Sequence, residues 1–473
     1  VTRAGASAEP HVHPTRDDAV LAGWSASVGG PVGTRAGRHP WWSPVRVLLA
    51  LTAVVLAVGM LQKAPCWEDS WTEESYAAMC YSDLPYLYTG RGFAELAWPW
   101  TDDAVVRERY EVMEYPVGIG YAAWAAAAVT HLVTGRPDLD ARAAVAPAYA
   151  EVLAEVRAFV VVHALLFAVC ALLATWFLAR VHRRRPWDAA GFAAAPTLAL
   201  TGLVNWDLLA VVLVAAALWA WARGRPVLTG VLVGLGTATK LYPLFLLGGV
   251  LVLCWRRRRW RELAVVVGAA TAAWVVANLP AYLSGPAQWQ VFWSFNADRG
   301  PDLGSLWLVV AQAGDLAISP SVLNDVSTAG FGLWCLGVLV LGLRAPLDPR
   351  LAQLGFLVVA GFLLVNKVYS PQYVLWLLPL AVLARPRWRD LLVWQAGEVF
   401  YFAMVWWYLG GVLEPGGGGD AGAYWVAIVV RVLAQLWLVG VVTRDVLRPA
   451  HDPVVEERSG PQLTTTRSNV VVV

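Results

Sequence analysis

Charge is scarce in this sequence. Asp, Glu, Lys and Arg together make up 15% of 473 residues, against 58% apolar. A soluble domain carries about 25% charged residues, so this chain lacks the polar surface to cover itself in water, and a soluble fold is excluded. Lysine is scarcer still: Lys63, Lys240 and Lys367 stand beside 33 arginines, so a lysine is the exception wherever it occurs. The sequence has no Walker A loop, dinucleotide fingerprint, HExxH motif or Cys/His cluster with zinc spacing. Nucleotide-driven transport and nucleotide-sugar chemistry therefore have no support, and no metal, cofactor or nucleic-acid partner is expected. Of the five cysteines, Cys170, Cys254 and Cys335 sit in apolar runs and read as small hydrophobes. Cys66 and Cys80 flank a polar stretch after the first long apolar run. In an oxidising compartment a disulfide between them is permitted, as are two separate thiols.

What the sequence does have is long apolar runs and 27 tryptophans, a residue that concentrates at membrane interfaces because indole is apolar with one polar edge. Crossing the hydrocarbon core as a helix takes about 20 apolar residues. Val45 to Leu61, Tyr115 to Thr134, Val156 to Arg180, Glu262 to Leu283, Ser327 to Leu343, Leu351 to Asn366, Gln372 to Ala384, Leu391 to Leu413 and Tyr424 to Val442 meet that pattern. Two further apolar stretches read as hairpins of short helices, turning at Asn205-Trp206-Asp207 and at Lys240-Leu241-Tyr242-Pro243. The expected fold is an all-α polytopic membrane protein with residues 45–443 in the bilayer. Residues 1–44 and 444–473 read as unstructured cytoplasmic tails, being polar and without apolar period.

Arginine sets the orientation. The clusters at Arg183–Arg185, Arg223–Arg225, Arg256–Arg261, Arg344–Arg350, Arg385–Arg389 and Arg444–Arg448 belong in the cytoplasm by the positive-inside rule. That puts Asn205–Asp207, Lys240, Ser284–Asn324 and Lys367–Gln372 outside, together with the first loop, 63–114. One parity fails. If Tyr115–Thr134 is a full span, Val156–Arg180 begins on the wrong side. A re-entrant segment, a weak span within Asp138–Glu155, or an exception at Arg183–Arg185 each restores the count.

The first outer loop is long, acidic and interleaved with aromatics, and loops over membrane domains are usually short, which marks it as a site. Its Asp83 lies in Cys80-Tyr81-Ser82-Asp83-Leu84-Pro85-Tyr86-Leu87-Tyr88. A lone carboxylate in apolar, aromatic surroundings has the partial desolvation and fixed position of a general base, although an acid capping a short interfacial helix reads the same way. Glu114-Tyr115 opens the following apolar run and orients a hydroxyl or a lysine, or simply complements a helix N-terminus. Asn205 and Asp207 mark a hairpin tip. Lys240 and Lys367 share a Tyr two residues on, Tyr242 and Tyr369, and a helix-breaking Pro beyond it. Broken helices free backbone N–H groups, which with an ammonium bind phosphate; snorkelling anchors are the alternative. Arg299 is a third outer cation.

Taken in order, Tyr81-Ser82-Asp83, Tyr88-x-x-Arg91-Gly92, Pro99, Glu114-Tyr115-Pro116-x-x-x-Gly120, Asn205-Trp206-Asp207, Thr239-Lys240-Leu241-Tyr242-Pro243, Gly304-Ser305-Leu306-Trp307 and Lys367-Val368-Tyr369-Ser370-Pro371-Gln372-Tyr373 resemble glycosyltransferase family 87, bacterial polytopic mannosyltransferases of the GT-C fold. Trp100, where the family pattern has Tyr, departs from it. The resemblance implies a GT-C-like bundle of about 12–13 membrane helices in the bacterial cytoplasmic membrane, working on its extracytoplasmic face. It implies a polyprenyl-phosphate-sugar donor, a glycolipid or glycan acceptor, and inverting, metal-independent transfer. Asp83 would be the base, Lys240, Lys367 and Arg299 the donor-phosphate ligands, and Glu114, Tyr115, Asn205, Asp207, Tyr242, Tyr369, Gln372 and Tyr373 the substrate contacts. A lipid or polysaccharide transporter, or another lipid-phosphate-dependent transferase, is the alternative.

Overall fold

The computed structural model describes residues 18–28, 41–71, 75–145, 147–413 and 421–455. Each long apolar run is helical: α1 (Pro44–Gln62), α2 (Val117–Thr134), α3 (Leu153–Leu178), α4 (Asp207–Ala222), α5 (Pro226–Thr239), α6 (Leu246–Arg256), α7 (Trp260–Ser284), α8 (Pro320–Arg344), α9 (Leu351–Val365), α10 (Val374–Ala384), α11 (Trp388–Leu409) and α12 (Gly422–Leu447). Short helices fill the connections, and no strand occurs among the described residues. Helix starts follow local chemistry. Pro44 and Pro320 occupy the first turn, where a missing N–H costs nothing, and Ser43 and Ser319 accept hydrogen bonds from Arg46 N and Val322 N. By length and composition α1, α2, α3, α7, α8 and α12 can each cross a membrane, and α4, α5, α6, α9 and α10 are shorter but equally apolar. The chain is an all-helical polytopic membrane protein.

The bundle has two chemically distinct ends. At one, the arginine clusters interlock: Arg223 donates to Arg180 O (2.6 Å), Arg185 to Pro453 O (3.3 Å), Arg256 to Gly342 O (2.7 Å), and Arg385 to the carboxylates of Asp390 and Asp445 (2.8 Å each). At the other lie residues 63–71 and 75–114, Asn205, Lys240 and Lys367. Between the ends the helices pack closely where side chains are small. A Cβ at Gly230 or Gly234 of α5 would meet the α7 carbonyls of Val266 and Ala270 at 2.3 and 2.2 Å, a small-xxx-small contact of the kind that joins helices in lipid.

The parity problem centres on α2. Its whole length runs beside the first loop: Tyr115 donates to Asp83 (3.2 Å), Trp124 Nε1 to Leu96 O (3.0 Å), and His131 Nε2 pairs with the Tyr88 hydroxyl (3.0 Å). The start of α3 returns to the same loop, with Arg157 donating to Trp67 O (3.1 Å) and Glu155 accepting from Tyr88 (2.7 Å). Both ends of α2 therefore sit at the loop end of the bundle, the arrangement of a re-entrant segment, although by length and composition α2 is also long and apolar enough to span. The hairpins turn at Asn205–Asp207 and Lys240–Pro243, as expected.

Both tails also need correction at their edges. Residues 1–17, 29–40 and 456–473 lie outside the described residues. Within the N-terminal tail, however, Ala19–Val28 is helical and Asp18 accepts from Trp388 N (2.9 Å). At the C-terminal side α12 continues to Leu447. Beyond it, the Asp452 carboxylate accepts from Arg350 Nη1 (2.5 Å) and Gln353 Nε2 (3.1 Å). A buried arginine needs a partner, and the sequence after Arg444 supplies one.

Candidate functional site

At the loop end, the broken helices and the first loop enclose a cavity of about 480 Å³. Of the residues singled out from the sequence, Asp83, Glu114, Tyr115, Asn205, Lys240, Arg299, Lys367, Gln372 and Tyr373 line it. Asp207, Tyr242 and Tyr369 do not. They are almost wholly buried behind the wall, and as direct substrate contacts they are corrected to supports.

Asp83 is held from both sides of its own backbone. Ser82 donates to Leu203 O (2.8 Å) and caps the short helix Asp83–Gly90 by accepting from Leu84 N (3.4 Å), while Asp83 N donates to Val204 O (2.9 Å). The aspartate thus begins a helix pinned to the turn that carries Asn205. Asn205 Nδ2 donates to Asp83 Oδ2 and to the Tyr115 hydroxyl (2.8 Å), and Asn205 Oδ1 accepts from Trp206 N (2.6 Å), which fixes the amide's orientation. Burial pushes the Asp83 carboxyl above the ordinary aspartate range, against the opposing pull of Tyr81, Asn205, Lys240 and Tyr115. The cap of this helix is Ser82; Asp83 is its first residue and lines the cavity.

Lys240 ends α5. Its ammonium lies 3.5 Å from Asp207 Oδ1 and 5.1 Å from the centre of the Tyr115 ring, with Tyr373 and Trp376 each at 6.0 Å. Asp207 Oδ1 also accepts from Trp376 Nε1 (2.5 Å), and Tyr242 stacks on Trp376 at 4.7 Å. Lys367 is anchored by neutral groups, Asn324 Oδ1 (2.6 Å) and Ala297 O (3.3 Å). Burial and then the neighbouring Arg299 lower its affinity for a proton. Arg299 is turned toward Asp302 (2.5 Å). Glu114 is clamped by Arg91 (2.9 Å).

Two aromatics of the first loop meet one from α11 at the cavity. Tyr76, Tyr81 and Trp406 form one aromatic wall, with Tyr81 5.0 Å from Tyr76 and 5.1 Å from Trp406, ring centre to ring centre. Tyr81 stands two residues from Asp83, which was signal enough to include it; Trp406 lies in an apolar run and gave none. Lys63 was also passed over as a site residue. It is buried beneath this wall, donates to Tyr81 O (2.9 Å), and burial brings its pKa down to about 7 despite the attraction of Asp83. Cys66 and Cys80 are joined by a disulfide that closes the loop segment between them.

Residues 143–303 match the family model of glycosyltransferase family 87. Over that span the chain is similar to membrane glycosyltransferases. The matched span takes in Asn205, Asp207, Lys240, Tyr242 and Arg299, and stops before Lys367; Asp83 precedes it. No curated protein matches the chain.

Proposed function

We propose that this protein transfers a mannosyl or other hexosyl residue from a polyprenyl-phosphate-linked donor to a glycolipid or glycan acceptor, with inversion. The reading rests above all on one observation: a partly desolvated carboxylate, Asp83, faces the same cavity as three cations, Lys240, Arg299 and Lys367. A glycosyl phosphate needs both. Asp83 takes the proton of the acceptor hydroxyl as that oxygen attacks the anomeric carbon. The bond from the anomeric carbon to the phosphate oxygen breaks, and charge develops on the lipid phosphate, where fixed cations lower the barrier. In this scheme the cations carry the charge that a metal would otherwise carry.

The similarity of residues 143–303 to a glycosyltransferase family supports the reaction class. Two features support an extracytoplasmic site in a bacterial cytoplasmic membrane. The arginine clusters gather at the end of the bundle away from the cavity, and the disulfide at the cavity end suits an oxidising compartment.

The test is radiolabelled sugar transfer from synthetic polyprenyl-phosphate-mannose to acceptors in host membranes, wild type against Asp83→Asn. The variant is expected to lose roughly a thousandfold in rate, the scale of a general base, while still binding polyprenyl phosphate. Undiminished transfer by the variant would remove Asp83 as base. Absence of transfer from any lipid-phosphate sugar by the wild type would favour a transporter or a different lipid-phosphate transferase.

A further inference from the structure

Behind the part of the wall that carries Arg299 and Lys367, α11 and α12 bury a second polar layer. Glu398, Arg431, Tyr401, Tyr424 and Gln435 are each no more than 2% exposed, and none of them lines the cavity. Charged side chains inside membrane helices are costly and persist where they serve a function. Here they converge on one backbone feature.

The segments 299–304 and 366–373 supply the cavity with both cations, and they are clasped to each other through the main chain. Asp302 N donates to Lys367 O (2.8 Å) and Tyr369 N to Leu303 O (2.7 Å). The second layer grips this clasp from behind. Arg431 lays its guanidinium on the Tyr369 ring, 3.6 Å from the centre, and donates to Gly304 O (3.2 Å) and Gln435 Oε1 (3.1 Å). Glu398 accepts from the Tyr369 hydroxyl (2.9 Å) and from Trp394 Nε1 (3.0 Å). Tyr401 donates to Tyr369 O (2.6 Å), and Gly304 N donates to the Tyr424 hydroxyl (2.9 Å). Gly304 has φ of 70°, and a Cβ there would meet Tyr401 Oη at 2.1 Å and Tyr369 O at 2.3 Å, so the backbone is pressed against these hydroxyls as closely as glycine allows. Tyr369 therefore joins Glu398, at its hydroxyl, to Arg431, at its ring, and its own main chain holds the lysine two residues away.

We propose that Arg431 and Glu398, acting through Tyr369 and Gly304, are positioning residues that set the placement of Lys367 and Arg299 and thereby the affinity for the phosphate group of the donor. The inference rests on the donor reading above and adds a layer that touches no substrate. A pair of apolar side chains would fill the same volume at no electrostatic cost; what it could not do is hold two loops by their carbonyl and amide groups.

The experiment uses the full chain in lipid nanodiscs. Binding of polyprenyl phosphate is measured, together with initial rates against donor and acceptor concentration. Arg431→Lys, which keeps the charge but loses the planar contact, is expected to raise the donor KM and the polyprenyl-phosphate Kd about tenfold, with kcat and acceptor KM within about twofold. Tyr401→Phe, which removes one hydroxyl and nothing else, shifts the same two constants in the same direction by a smaller factor and guards against a folding defect at Arg431. A loss confined to kcat, an equal rise in both KM values, or an unchanged donor constant in both variants overturns the positioning role. Failure of the wild type itself to bind polyprenyl phosphate overturns instead the donor reading on which the inference stands.

Discussion

Lys240 and Lys367 face the same cavity in different company. Lys240 is already neutralised: a wholly buried Asp207 stands 3.5 Å away, and three aromatic rings surround the ammonium. Lys367 leans on an amide oxygen and a carbonyl, and it feels a second cation, Arg299, against the weaker pull of Asp298. At Lys367 a phosphate meets an ammonium held by neutral groups, whereas at Lys240, as at Arg299 beside Asp302, it competes with a carboxylate. The difference divides the labour. Under the proposed function Lys367 is the lysine better placed for the donor phosphate, and Lys240 acts on Asp83, whose carboxylate form its charge favours. A cation beside an anion site is thus not yet a ligand of it; what else it pairs with decides.

The comparison can be broken most forcefully through stability. Lys240→Met leaves Asp207 buried without its cation and is expected to cost about 3–5 kcal/mol, read as a fall in the thermal midpoint of the detergent-solubilised protein. Adding Asp207→Asn, which keeps an acceptor for Trp376, recovers most of the loss. Lys367→Met, which strands no carboxylate, leaves the midpoint near wild type. If both single variants fall equally, the two lysines are not differently paired.

Next in size is the effect on transfer. Lys367→Met is expected to lower kcat/KM for the donor about a hundredfold, equivalent to about 2.7 kcal/mol of transition-state stabilisation. The Lys240→Met/Asp207→Asn pair, tested in the same assay, falls by a smaller factor. The reverse order would assign the phosphate to Lys240.

The smallest effect is a shift in the pH profile. As the proposed base Asp83 acts in its ionised form, and burial raises its pKa, so the rate is expected to decline with falling pH earlier than an ordinary aspartate would dictate. The positive charge of Lys240 opposes that rise. Removing it moves the acid limb to still higher pH, while removing Lys367, whose hydrogen bonds go to Asn324 and Ala297 O and not to Asp83, is expected to move it less. Rates of Lys240→Met alone and of Lys367→Met across the acid range distinguish the two.

Much of this was legible from residue order because the informative residues interrupt apolar runs. Asn205, Lys240 and Lys367 each break a run with polar or helix-ending chemistry, and each lies at the cavity. The arginine clusters gathered at one end for the same reason, each closing a span. The direction of α2 was not legible, since a helix lying along a loop and one crossing a bilayer can have the same length and hydropathy. Arg431 and Glu398 escaped notice because a single charge inside an otherwise apolar helix carries no information about which backbone it will reach. Asp207 and Tyr242 were placed in the right neighbourhood but on the wrong side of the wall, a distinction that depends on side-chain direction at a turn.

The Cys66–Cys80 disulfide has a practical consequence for watching this cavity work. With those two sulfurs bonded to each other, the remaining cysteines are Cys170 and Cys254, both buried, and Cys335, partly buried within α8. The cavity end therefore presents no native thiol to a water-soluble reagent. A single cysteine introduced at the rim would be the one position there that a polar maleimide dye could mark, so reporters of loop movement can be placed without first stripping the protein of its own cysteines.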